Sequence, residues 1–549
     1  MPSDIGTAKQ TGVMARGFKV FEFVDFVSPT QRKNSASLTD RLNPRRRDYP
    51  TFSPAQRQRR SHIQAEPVSY RPISRFLTRL LSLFRVRTTM RQTILVPLLL
   101  AFTTVPLLAQ TAVQARRAMD FVYSMGVNVH LEYLGSPYQH YAAINSRLIE
   151  LGMHHVRDEI NDTANGRFVA ELQQMKTMGY TVCGLIEGGN DYPPAGEVLE
   201  AQKVVPMIQN LLPSIDAVEG PNEPDDSTMP PFAYGLDYLL YPQGAINESE
   251  NLWEIVKGDP AISGLPVLAM SEGTPQDFLK LAAVTPPPIY YANLGNMHAY
   301  QSGLWADWGL IHMYIPLARK LTGSLPLWTT EMGYHNNPNF LSDGEQQGVS
   351  ERASAIYLPI AFLSGFIYGV QRTFSYELID EEPGPPLASC TPQDQARCMG
   401  EGYYGLLHYD GTPKPSFTAL KNLIGILQEG NLELSAVADP GSLSVTFSGA
   451  PPKMGYTLLE KSNGDYYFAL FNNLKVYELA TATSAGYDID RQPVPVTITF
   501  YDPYKFTVYA PNDPSGITPT SAYTISTTPN SIQLNLPAKV LLLKIAASR

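Results

Sequence analysis

Between about residues 121 and 430, short apolar runs rich in β-branched residues alternate with longer stretches of helical period. Strands are expected at 121–129, ending near Val156, and at 180–186, 215–219, 266–270, 290–297, 325–330 and 371–376. Helices are expected at 138–151, 166–178, 196–212, 238–256, 275–283, 310–321, 350–363 and 416–427. Regular alternation implies parallel strands covered by helices, and eight strand–helix units close a (β/α)8 TIM barrel. A doubly wound sheet would share the alternation, but no glycine-rich phosphate loop follows the first strand. Beyond about Gln428 the helical period vanishes. Runs such as 443–447, 466–471, 494–501 and 540–545 alternate with turn-rich stretches, which predicts a C-terminal all-β sandwich over 431–549.

Residues 90–115 carry a different signal. An uncharged, mostly apolar run at 94–108 follows Arg91, and small residues suited to signal peptidase follow it, ending at Ala109 or at Ala115. A run of this length is short for a spanning helix and suits a signal peptide, and Pro97 and Pro106 argue against a buried core helix. Two arrangements stay open: Met90 as the true start of an exported protein, or 94–108 as a membrane anchor behind a basic tail.

Charge sharpens that picture. Residues 1–89 hold 17 Lys and Arg against 6 Asp and Glu, a net of +11, so the remainder carries −20 of the total −9. The tail, with Arg45-Arg46-Arg47, shows no hydrophobic period and reads as a disordered extension. An acidic body argues against a nucleic-acid partner. Of three cysteines, Cys183 falls in an apolar strand as a core residue. Cys390 and Cys398 flank a polar loop, closed by a disulfide in an exported protein and left as thiols otherwise. No Cys/His spacing forms a zinc site, and no metal or cofactor is expected.

In a (β/α)8 barrel the reactive groups stand just past the C-terminal ends of the strands. Two carboxylates do so here: Glu223, in Val218-Glu219-Gly220-Pro221-Asn222-Glu223-Pro224 after strand four, and Glu331, in Leu327-Trp328-Thr329-Thr330-Glu331-Met332-Gly333 at strand seven. Such a pair suits glycosidic cleavage. One carboxyl protonates the leaving oxygen, and the other attacks, or activates water against, an oxocarbenium-like centre.

With Arg157 after strand two, Asn222-Glu223 after strand four, His298-Ala299-Tyr300 after strand six and Glu331 at strand seven, residues 120–430 resemble the clan A glycoside hydrolases. That resemblance implies a retaining double displacement with Glu223 as acid/base and Glu331 as nucleophile. It implies that Arg157 keeps the nucleophile ionised, that Tyr300 hydrogen-bonds it, and that Asn222 contacts the sugar 2-hydroxyl. Tyr376 stands at strand eight, where many members place a Trp under the sugar. The ending Gly405-Leu406…Gly411-Thr412-Pro413-Lys414-Pro415-Ser416-Phe417, before a last helix and a sandwich, looks like the xylosidase/iduronidase family and its relatives.

The expected partner is an oligo- or polysaccharide with β-linked sugars, and the expected location is outside the cytoplasm. Alternatives are transglycosylation on the same site and a non-catalytic carbohydrate-binding barrel. Glu187, Glu219 and Glu377 are further candidates near the site. Asp225 and Asp226 read as solvated loop charges, and Tyr133, Tyr334 and Trp328 either stack on sugar or pack in the core.

Overall fold

The computed structural model describes residues 111–160, 166–186, 199, 201–212, 214–225, 241–284, 288–338, 346–383, 402–430, 439–481 and 483–547. The basic tail, the apolar run at 94–108, the Cys390–Cys398 loop, Glu187 and Asp226 lie outside these residues. Among the described residues no helix is long and apolar enough to cross a membrane.

Six parallel strands form one sheet in the spatial order Ile215–Glu219, Thr181–Leu185, His155–Glu159, Met125–Asn128, Val370–Ser375 and Leu327–Met332. The two remaining barrel positions are minimal. Parallel bridges join Val218 to Val267, Leu268 to Leu294 and Gly295 to Leu327, closing the ring of eight. The strands expected at 266–270 and 290–297 thus make isolated bridges only, and the latter begins as a 3-10 turn at Pro288–Tyr291. Buried side chains line both faces of most strands, as in Leu327–Met332, because helices cover the outside while side chains fill the inside.

The sandwich stacks two five-stranded sheets around Leu443, Val445, Phe468, Leu470, Ile498, Phe500, Leu534 and Leu543. Val494–Phe500 alternates buried and partly exposed positions, the pattern of a strand with one wet face. Its membership corrects the expected boundary at residue 115. Thr111–Gln114 pairs antiparallel with Ser442–Ser448, and Arg116–Arg117 pairs with Met454–Glu460, so the sandwich is built from both ends of the described chain. Cleavage after Ala109 would leave that first strand intact, whereas cleavage after Ala115 would remove it.

Helix Glu351–Ile367 seats the sandwich on the barrel. Ser350 caps it by accepting the Ala353 amide, and nearly every residue is buried, so it is covered on all sides. Tyr357 accepts the Val476 amide at 2.8 Å, Asn512 Nδ2 donates to the Ala355 carbonyl at 2.6 Å, and Arg116 donates to the Phe366 carbonyl at 2.6 Å while covering its ring.

A chain beginning at residue 116 should therefore melt roughly 1–2 °C below one beginning at 110, the size expected from losing about 1 kcal/mol of edge pairing. Equal melting temperatures in a thermal scan would show that Thr111–Gln114 adds nothing to the sandwich.

Candidate active site

Arg157 ends in a fully enclosed position at the centre of the barrel mouth. Its Nε and Nη2 donate to the two oxygens of Glu219 at 2.8 and 3.2 Å, a forked pair. Nη1 donates to Glu331 Oε1 at 2.7 Å and to Asn128 Oδ1 at 3.0 Å, and Nη2 donates to Asn222 Oδ1 at 2.8 Å. One guanidinium thus joins residues from four barrel strands or their ends.

Glu331 receives a second donor, the Tyr300 hydroxyl, on Oε2 at 2.6 Å. Burial and the Glu331 charge hold that phenol well above its ordinary pKa, so it remains a donor. Glu223 stands opposite with φ of +39°, a left-handed conformation uncommon for a residue with a side chain. Its surroundings hold it there. Gly220 passes so close to Ile186 that a Cβ would lie 2.1 Å from that carbonyl oxygen, and Glu223 N donates to Ser271 Oγ at 3.3 Å. Gly273 leaves room for the carboxyl, since a Cβ there would come within 3.0 Å of Glu223 Cδ.

His298 stands between the two carboxylates. Its Nδ1 lies 2.5 Å from Glu223 Oε1 and 3.4 Å from Glu331 Oε2. Its Nε2 faces Thr330 Oγ1 at 3.1 Å, and Thr330 has Glu219 Oε1 and Asn296 Oδ1 as acceptors, each at 2.9 Å. Because Thr330 donates away from the ring, the network assigns a proton to His298 Nε2. One further proton is then shared between His298 Nδ1 and Glu223. One oxygen from each of Glu223 and Glu331 lies within 4.8 Å of the other and of a His298 nitrogen.

Burial pushes Glu219 up, but Arg157 and His298 overcome it and hold the carboxyl at about 2. Burial lowers His298, yet Glu331, Glu223 and Glu219 raise it to about 10. With a cationic His298, burial raises Glu331, whereas for Glu223 the His298 charge and hydrogen bond overcome burial and lower it. The donors bound to each carboxyl favour the opposite order. Two donors, one of them charged, bind the Glu331 oxygens, which suits the anion, whereas the Glu223 carboxyl has one close partner and 28% exposure. We adopt the second order, because the shared proton can rest on Glu223 without breaking any of these bonds.

The structure brings Arg157, Asn222, Glu223, His298, Tyr300 and Glu331 together. Tyr376 joins them at the rim, its ring edge-on to His130, Tyr300 and Tyr404. Tyr133 stacks on His130 at 4.6 Å and donates to Glu159. Trp328 and Tyr334 are core residues. Trp328 packs on Phe374 under Arg372, and Tyr334 packs on Tyr357. Glu377 is buried beside His130 and accepts from Tyr138 at 2.8 Å, while burial holds His130 near 3 and hence neutral. Asp225 corrects an expectation: it is no solvated charge but accepts the Gly273 and Thr274 amides at 2.9 and 2.7 Å. Asn128, Asn296 and Thr330 went unrecognised. Asn128 ends a barrel strand, Asn296 follows a bridge, and Thr330 precedes Glu331 near the end of its strand, the one signal that would have marked them.

No family model matches the chain, and no curated protein does. Solved structures similar to it include the GH39 enzyme from Xanthomonas axonopodis pv. citri, at 13% identity and a TM-score of 0.47, covering 79% of this chain and 96% of that one. A monomeric beta-xylosidase from Caulobacter crescentus CB15 gives 13% and 0.46, covering 79% and 98%. A glycoside hydrolase family 30 subfamily 8 xylanase from Clostridium acetobutylicum gives 11% and 0.44, covering 80% and 97%. What this site can do is read from its own geometry.

Glu219→Gln should leave Arg157 short of one counter-charge and destabilise the fold by about 3 kcal/mol at pH 7. The folded pKa of Glu219, about 2, lies below the unfolded value, so its contribution is full above about pH 4.5 and is lost as pH falls through 2. In urea titrations the gap between wild type and variant should narrow from pH 5 towards pH 3. A gap constant across that range would refute the paired, ionised state.

Proposed function

We propose that this protein is a retaining glycoside hydrolase acting on β-linked sugars, with Glu331 as nucleophile and Glu223 as acid/base. The observation that carries the reading is the spacing and unequal environment of the two carboxylates. Their nearest oxygens stand no more than 4.8 Å apart. A nearest approach of this size supports direct attack, for which carboxyl groups stand about 5–5.5 Å apart, over an arrangement that holds a water between them at roughly 6.5–9.5 Å.

In the first step an ionised Glu331 oxygen attacks the anomeric carbon, and Glu223 gives its proton to the departing glycosidic oxygen. The covalent glycosyl–enzyme bond forms as the glycosidic bond breaks. In the second, Glu223 takes a proton from water, whose oxygen displaces Glu331 with a second inversion, so the configuration is retained overall. As negative charge leaves Glu331, Arg157 stays neutralised by Glu219, so its charge is not stranded. His298 is a positioning residue through which the proton on Glu223 is shared. Asn222, partly exposed and braced by Arg157, suits a sugar hydroxyl. We also propose export, with cleavage after Ala109, which leaves the strand Thr111–Gln114 in place.

The experiment is turnover of a panel of β-linked aryl glycosides and polysaccharides by wild type, Glu331→Ala and Glu223→Ala. Glu331→Ala should lose at least about 10³-fold on every substrate. Glu223→Ala should lose most on poor leaving groups and least on nitrophenols, which depart without a proton. Folded wild-type protein with no turnover on any member, or full activity in Glu331→Ala, would overturn the reading. Sugar–sugar products in place of free sugar would make it a transglycosylase on the same intermediate.

A further inference from the structure

Three carboxylates behind Glu223 take no part in that chemistry. Asp225 follows on the same loop, and Glu272 and Asp277 lie on the segment after the fifth barrel position. One oxygen from each lies within 4.8 Å of the other two. Glu272 and Asp277 are buried, and Asp225 is partly so. Their partners are few. The Gly273 and Thr274 amides donate to Asp225, the Tyr241 hydroxyl donates to Glu272 Oε2 at 2.8 Å, and Lys280, itself 62% exposed, pairs with Asp277 Oδ1. Glu272 Oε1 is enclosed with no hydrogen-bond partner among the described residues.

A buried carboxylate with one orphaned oxygen, grouped with two further carboxylates, is costly unless positive charge joins it. One exposed ammonium does not supply that. Three carboxylates this close and this enclosed need a proton or a cation among them.

We propose that Asp225, Glu272 and Asp277 bind a calcium ion that clamps the loop after barrel strand four to the segment after the fifth position. The donors are all oxygen, which selects a hard cation over zinc or copper. Calcium–oxygen bonds of about 2.3–2.6 Å let two ligands on opposite sides of one ion stand about 4.6–5.2 Å apart. Oxygens within 4.8 Å of one another can therefore all reach it. Magnesium, at about 2.0–2.1 Å with strict octahedral demands and a tightly held water shell, suits a cluster made mostly of protein carboxylates less well. The ion would act on position only. Ser271 and Gly273, which bear on the Glu223 backbone and carboxyl, flank Glu272 directly.

The test uses the full chain stripped with EGTA and does not depend on activity. Millimolar calcium chloride should raise the melting temperature by several degrees over EGTA, and magnesium chloride should raise it much less. Terbium should show luminescence sensitised by Tyr241 that calcium displaces. The near-isosteric Glu272→Gln, and independently Asp277→Asn, should each weaken calcium binding at least about tenfold, while Glu331→Gln retains it. Equal wild-type melting in calcium and EGTA overturns the proposal. So does an undiminished response in Glu272→Gln and Asp277→Asn, or one lost in Glu331→Gln. An equal response to magnesium overturns the assignment to calcium.

Discussion

Arg157 carries a full positive charge into the closed centre of the barrel mouth, and the surrounding residues are arranged to keep it paired. A guanidinium cannot neutralise itself by losing a proton, so burial must be met by negative charge and by acceptors for its N–H groups. Glu219 meets it with a fork, Glu331 with one oxygen, and Asn128 and Asn222 with amide oxygens. Asn296 and Thr330 then bind Glu219, and Thr330 passes the constraint to His298. The proton shared by His298 and Glu223 stands at the end of this chain of contacts. Two carboxylates of equal chemistry thereby meet unequal surroundings, one bound by two donors and the other by an exchangeable proton.

The rest of the fold serves that arrangement by rigidity. Parallel strands bring the ends of distant sequence segments to one rim, and the wide middle of the barrel core, with Cys183, Ala217, Trp328 and Phe374, fills the space beneath. The sandwich reaches the barrel through a helix that has no solvent face. Its first strand comes from before the barrel and the others from after it, so the two ends of the described chain meet in one sheet. This joins the barrel to its neighbour through both of its ends.

Much of this was legible in the sequence, because helical and strand periods alternate strongly and because strand ends mark where chemistry sits. Glu223, Glu331, His298, Tyr300 and Asn222 stand at such ends, whereas Arg157, expected after strand two, lies in the middle of His155–Glu159. What escaped notice depended on pairing at a distance. The strand Thr111–Gln114 looked like part of an export signal, since four residues carry no period of their own and its partner lies more than three hundred positions away. The fifth and sixth barrel positions were read as full strands, yet they make only isolated bridges, including two from the sixth to strand seven at Gly295–Leu327 and His298–Glu331, which suffice to close the ring. Asp225 looked solvated because nothing local shows that the Gly273 and Thr274 amides will fold onto it. Trp328 and Tyr334 offered a sugar platform by residue type alone, and packing decided otherwise.

The central claim is that Glu331 forms a covalent bond to the sugar. A 2-deoxy-2-fluoro glycoside with an activated leaving group slows both steps but the second more, so the intermediate accumulates. After incubation with such a reagent matched to the substrate, peptide mapping by mass spectrometry should place one fluorosugar on the peptide containing Glu331. Label on another residue, or turnover giving a product of inverted anomeric configuration with no label at all, would contradict it.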